Sequence, residues 1–169
     1  MSSVLIIDDD VTFLETVSAA MEQGHRDVTI VTATTVEQGL RLLGRQRFDV
    51  IVSDFRMSGL NGIDLLKECT VVCPDTPVVL ITGYGSSALE QDALTHGAYA
   101  VLQKPVDSDV IYSVVTRSIL RSRLLQRSYP SDLNPPEIHA RELAGRRAQL
   151  SARIRQVTER LQDTLGKDE

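Results

Sequence analysis

VLIIDDD, running from Val4 to Asp10, decides the fold. A short unbroken apolar run of this kind is the pattern of a strand buried on both faces. The acids begin where such a strand must end. Outward from it the same grammar recurs. Val28–Thr32 is a second apolar run, Val50–Ser53 a third, Val78–Ile81 a fourth and Val101–Gln103 a short fifth. Between them, apolar residues at helical spacing predict helices over Val11–Met21, Val36–Leu43, Ile63–Thr70 and Ser86–His96. A last helix is expected from a cap at Asp107 to about Arg127. Pro74 and Pro77 keep the approach to the fourth strand extended, and Gly97 stands where a helix should stop. Strict alternation of strand and helix predicts an α/β fold, a parallel sheet with helices on both faces. Five units in about 125 residues suit the smaller doubly wound arrangement, with five parallel strands in the order 2-1-3-4-5.

Composition narrows the class. The 169 residues are 42% apolar and only 4% aromatic, with no Trp, so the core is aliphatic. No apolar run approaches the roughly 18 residues that would span a bilayer. The order of apolar residues and acids at the N-terminus is the reverse of a secretory signal. Cys69 and Cys73 read as free thiols of a reducing compartment. The expectation is a cytoplasmic protein without a membrane segment. Charge divides unevenly: residues 1–120 carry a net −8 and residues 121–169 a net +3. A front domain this acidic repels a phosphate backbone, which argues against nucleic acid and in favour of a hard cation.

In doubly wound sheets, ligands bind beyond the carboxyl ends of the strands. Four of the five expected ends carry unusual residues. Asp8, Asp9 and Asp10 follow the first strand, Asp54 the third, Thr82 the fourth, and Lys104-Pro105 the fifth. Carboxylates crowded at one edge repel each other, and an oxygen-rich set of this kind favours Mg²⁺ over transition metals. A hydroxyl and an ammonium facing that cation make a place for a phosphoryl group. Taken singly, each residue has a plainer reading. Asp10 reads equally as the cap of the next helix, and Asp54 or Thr82 as turn residues. The conjunction carries the argument.

Over residues 2 to about 125 the chain resembles the receiver domain of two-component response regulators. VLIIDDD resembles that family's first strand with its acidic pair, Asp8 and Asp9. VSDFRMSGLNG resembles the phosphoacceptor segment, with Asp54 as acceptor, Met57 in its usual place and Gly62 closing the turn. VVLITGYGS supplies Thr82 and the small Gly83, and GAYAVLQKPVD supplies Lys104 and its proline. The resemblance implies a flavodoxin-like fold and an Asp54 that takes a phosphoryl group from the phosphohistidine of a sensor kinase or histidine phosphotransfer protein. It implies Mg²⁺ held by Asp9, Asp54 and the backbone carbonyl of Arg56, with Asp8 acting through water. Lys104 would pair with the phosphoryl oxygens, and Thr82 would turn towards the new phosphoryl. Arg56 and Tyr84 would border the approach of water and modulate phosphoryl lifetime, Tyr84 by obstruction, with the small Gly83 as a further modulating position. The Lys104–Pro105 bond is expected to be cis. Such a protein modifies only itself and is not otherwise an enzyme.

Two positions depart from the family pattern. Ser58 stands where the family usually has Pro, and Val101 stands where its switch Tyr or Phe normally lies. Tyr99, two residues earlier, would share a strand face with Val101 if the period of two extends that far.

The remainder divides into a proline-rich linker, 128–136, and a helical tail, 137–169, beyond a receiver at 1–127. Leu143, Leu150 and Val157 repeat every seven residues, with Ile154 and Leu161 as a companion series. This seam is expected to pair with a second copy or to dock on a downstream protein target, the plainer alternative being a solvated helix. One nearly balanced helix does not make a helix-turn-helix reader, so no DNA-binding output is expected. Signalling would run through phosphorylation-dependent protein contact, as a single-domain regulator or a phosphorelay intermediate. Two rivals remain. Asp8-Asp9-Asp10-Val11-Thr12 also resembles the first motif of haloacid-dehalogenase phosphohydrolases, with Asp8 as nucleophile, but that reading leaves Asp54 unexplained. A pseudo-receiver, an interaction module that accepts no phosphate, is the other.

Overall fold

The structure, a computed structural model, describes residues 2–24, 27–83, 85 and 87–128, and positions 145, 148, 149, 152, 155 and 156. In chain order the elements are β1 (Ser2–Ile7), α1 (Val11–Gly24), β2 (Val28–Ala33), α2 (Val36–Leu43), β3 (Val50–Asp54), α3 (Gly62–Val72), β4 (Val78–Thr82), α4 (Ser87–Thr95), β5 (Ala100–Gln103) and α5 (Ser108–Ser128). The strands form one parallel sheet in the order β2-β1-β3-β4-β5. This is the expected doubly wound fold. Ser128, expected to open the linker, still belongs to α5. The six described positions of the tail are helical and exposed. The rest of the linker and the seam residues Leu143, Leu150, Ile154, Val157 and Leu161 lie outside the described residues.

Alternate strand residues feed two largely aliphatic cores. Leu5, Ile7, Ile51 and Leu80 meet α2, α3 and α4 on one face. Val4, Ile6, Val52 and Ile81 meet α1 and α5 on the other. Each fully buried Leu or Ile contributes about 1.5–3 kcal/mol, so packing rather than helix propensity carries the fold.

The helix ends follow local chemistry. Asn61 caps α3 by accepting from the N–H groups of Ile63 and Asp64, and the Asp64 carboxylate returns the bond to the Asn61 N–H. Gly97, at φ +94°, ends α4, with its N–H on Leu94 O and the Ala98 N–H on Ala93 O. Gly62 permits α3 to start against the sheet: a Cβ there would stand 2.9 Å from Leu80 Cδ2 and 3.1 Å from Phe55 Cα. Strands β3 and β4 each run one residue beyond their expected ends, because pairing continues through Asp54 with Ile81 and Thr82 with Gln103. The chemically distinctive residues are therefore held by the sheet itself.

Candidate functional site

Four strand ends converge at the carboxyl edge of the sheet. The Asp8 N–H is tied to Ala33 O (3.1 Å), Phe55 N–H to Ile81 O (2.7 Å), and Lys104 N–H to Thr82 O (2.7 Å). These bonds bring Asp8, Asp54, Thr82 and Lys104 to one place. The peptide bond between Lys104 and Pro105 is cis, as expected.

The Lys104 ammonium is the hub. Its Nζ donates to Asp8 Oδ2 at 2.8 Å and pairs with Asp54 Oδ1 at 3.0 Å. The other oxygens are also engaged: Asp8 Oδ1 accepts from the Asp10 N–H (2.9 Å) and Asp54 Oδ2 from the Arg56 N–H (2.9 Å). Asp8 is 1% exposed and Thr82 2%. The face of the Phe13 ring lies 4.5 Å from Nζ.

Burial pushes the Asp54 carboxyl above its ordinary value, the nearby Asp8 adds to this, and the hydrogen bond and charge of Lys104 oppose it. Burial also works against the charged Lys104, but bonding to Asp8 and Asp54 outweighs it and raises the ammonium above its usual range. One ammonium thus does not fully offset the cost of a buried carboxylate at position 54.

Not every expected residue joins this cluster. Asp9 is exposed, and Asp8 is the carboxylate that shares the ammonium with Asp54. Asp10 is the cap of α1, accepting from the Phe13 N–H at 3.1 Å. Among the described residues no three acidic, His or Cys side chains are gathered closely enough to hold one ion. The donor chemistry nonetheless suits Mg²⁺: the set is all oxygen, and Asp9, next to Asp8 in the chain, is exposed. The Arg56 side chain is exposed, a Cβ at Gly83 would meet nothing within 4 Å, and Tyr84 lies outside the described residues.

Tyr99 does not share a face with Val101. Val101 packs against the α2–α4 core, whereas Tyr99 packs against the α1–α5 core with the Arg121 guanidinium 5.3 Å over its ring. The reason is local: β5 begins at Ala100, so the alternation of the strand does not extend back to Tyr99. Phe13 was invisible to motif reading, because nothing in its spacing separates it from a core-facing helix residue.

Among the described residues no helix is long and apolar enough to cross a membrane. Transcriptional regulatory protein GlrR of Escherichia coli K12 is 32% identical over 146 residues, which cover 74% of this chain and 32% of GlrR. The chain therefore matches about a third of the length of that relative. Transcriptional regulatory protein FixJ of Bradyrhizobium diazoefficiens is 30% identical over 158 residues, covering 94% of this chain and 72% of FixJ. The crystal structure of a response regulator receiver domain protein from Clostridium thermocellum superposes with a TM-score of 0.69 at 29% identity, covering 74% of this chain and 99% of that one. The family model of the response regulator receiver domain matches residues 4–116, from β1 into α5, and by that match the chain belongs to the receiver domain family of two-component systems.

Proposed function

We propose that the domain accepts a phosphoryl group on Asp54, in a Mg²⁺-dependent reaction, from the phosphohistidine of a sensor kinase or histidine phosphotransfer protein. The observation that carries this reading is the Lys104 ammonium shared by Asp8 and Asp54 at the carboxyl edge of the sheet. Receiver domains are generally Mg²⁺-dependent, and interaction with such phosphodonors is a property of the family. Here Asp9, Asp54 and the Arg56 carbonyl would hold the ion, with Asp8 acting through water. When bound, Mg²⁺ neutralises charge on the transferring group.

The chain's own residues supply the rest. Arg56 N–H holds one Asp54 oxygen and so fixes the rotation of the carboxylate. An Asp54 oxygen forms the bond to phosphorus as the P–N bond breaks, and its electron pair returns to the imidazole nitrogen. Lys104 then pairs with phosphoryl oxygens, and Thr82 offers its hydroxyl from the end of β4. The domain catalyses only its own phosphorylation and dephosphorylation. Output runs by phosphorylation-dependent contact with a protein target in the cytoplasm, with the tail helix available for self-association and no nucleic acid bound by this domain.

The hydrolase reading, with Asp8 as nucleophile, belongs to a different family from the one whose model matches residues 4–116, and this disfavours it. Mass spectrometry after treatment with acetyl phosphate and Mg²⁺ tests the proposal. A label on Asp54, absent in Asp54→Asn and in EDTA, is expected. A label on Asp8 would favour the hydrolase, and no label at all the pseudo-receiver.

A further inference from the structure

We infer that Phe13 is a positioning residue for phosphoryl transfer, holding the Lys104 ammonium through the face of its ring. The inference rests on the role proposed above for Lys104. Three observations lead to it. The ring face lies 4.5 Å from Nζ, within cation–π range. Asp10 fixes the first turn of α1 by accepting the Phe13 N–H, which sets where the ring emerges. The ring is half-buried and packs on the α1–α5 core, so it is not free to swing away.

Physical chemistry gives the ring a task the carboxylates cannot perform. Lysine is a compact charge on a flexible four-carbon stem. Its two anionic anchors in the resting site are Asp8 and Asp54. When Asp54 takes the phosphoryl group, that carboxylate becomes an acyl phosphate and Nζ must redirect to the phosphoryl oxygens. The ring neither changes charge nor leaves, and its quadrupole favours a cation over its face in both states. It therefore limits the positions open to Nζ while its anionic partners change. A leucine would cover similar apolar surface without that attraction. The third acid of VLIIDDD is thereby tied to the site indirectly: it caps the helix that carries the ring.

The test is the initial rate of Asp54 labelling by acetyl phosphate at saturating Mg²⁺, in the 169-residue chain. Phe13→Leu should slow labelling about two- to fivefold, the size of a cation–π contact at a partly exposed site. Phe13→Tyr, which keeps the ring, should label at the wild-type rate. In a Lys104→Ala background Phe13→Leu should have no further effect, because a residue acting through the ammonium then has nothing to act on. A wild-type rate for Phe13→Leu, or the same slowing in both backgrounds, overturns the inference and leaves the role of Lys104 standing. A wild-type rate for Lys104→Ala overturns that role, and this inference with it.

Discussion

The two faces of the sheet are built from neighbouring residues of the same strands, yet among the described residues the ring–cation contacts lie on one of them. The α1–α5 face holds Phe13 against Lys104 and Tyr99 beneath Arg121. On the α2–α4 side, the residue in the middle of β5 is Val101, among the aliphatic contacts of Leu89 and Ala93 from α4. Phe48 and Phe55 on that side are buried in the core. A receiver that relays its state through an aromatic on the α4 side lacks that part here.

That contrast holds only if both faces are packed to similar quality. Leu80 and Ile81 are adjacent in β4, are 0% and 1% exposed, and point into opposite cores. Leu80→Ala and Ile81→Ala should each cost about 2–5 kcal/mol in urea or thermal unfolding. Similar losses would mean that the faces differ in chemistry rather than in packing. A loss below 1 kcal/mol on one side would show that face to be loose, and the contrast would have to be recast in those terms.

Most of the fold was legible because strand and helix differ so clearly in period. The limits of α2 match the sequence reading to the residue, and the order of the sheet is the one that five alternating units in so short a length suit. Asp54 and Thr82 were placed one residue outside their strands, since apolar patterning stops before backbone pairing does. Asp8, Asp54 and Lys104 could be named from their positions at strand ends. That one ammonium bridges both acids could not, because contacts across 96 residues of chain leave no local pattern. The side taken by Tyr99 was not legible, because a period of two is valid only inside a strand. The side on which a residue just before β5 falls depends on how the chain leaves α4 at Gly97.

Tyr99 and Val101 also give the next test. Tyr99→Leu removes a half-buried ring and its contact with Arg121, and should cost about 1–2 kcal/mol. Arg121→Ala should cost less, and the double variant should lose less than the two losses added together. Strict additivity would show that ring and guanidinium are neighbours without a coupling. Labelling of Asp54 should be unchanged in all three variants, since none of these side chains touches the acidic cluster.

The smallest expected effect has the opposite sign. Burial raises the Asp54 carboxyl above its ordinary value despite Lys104, so the folded domain holds that proton more tightly than the unfolded chain does. By linkage, stability falls as pH rises from the ordinary carboxylate range through the higher folded value, and the ionised Asp54 is a net cost at neutral pH. Asp54→Asn removes this charge, while Asp8 still pairs with Lys104. In EDTA at pH 7 the variant should melt about 2–4 °C higher, the shift that about 1 kcal/mol produces in a chain of this size. The gain should shrink in acid, where Asp54 is protonated and both side chains are neutral. A lower Tm at pH 7 would mean that the ion pair with Lys104 outweighs desolvation. An equal gain at pH 3 would mean that the substitution acts through packing rather than charge.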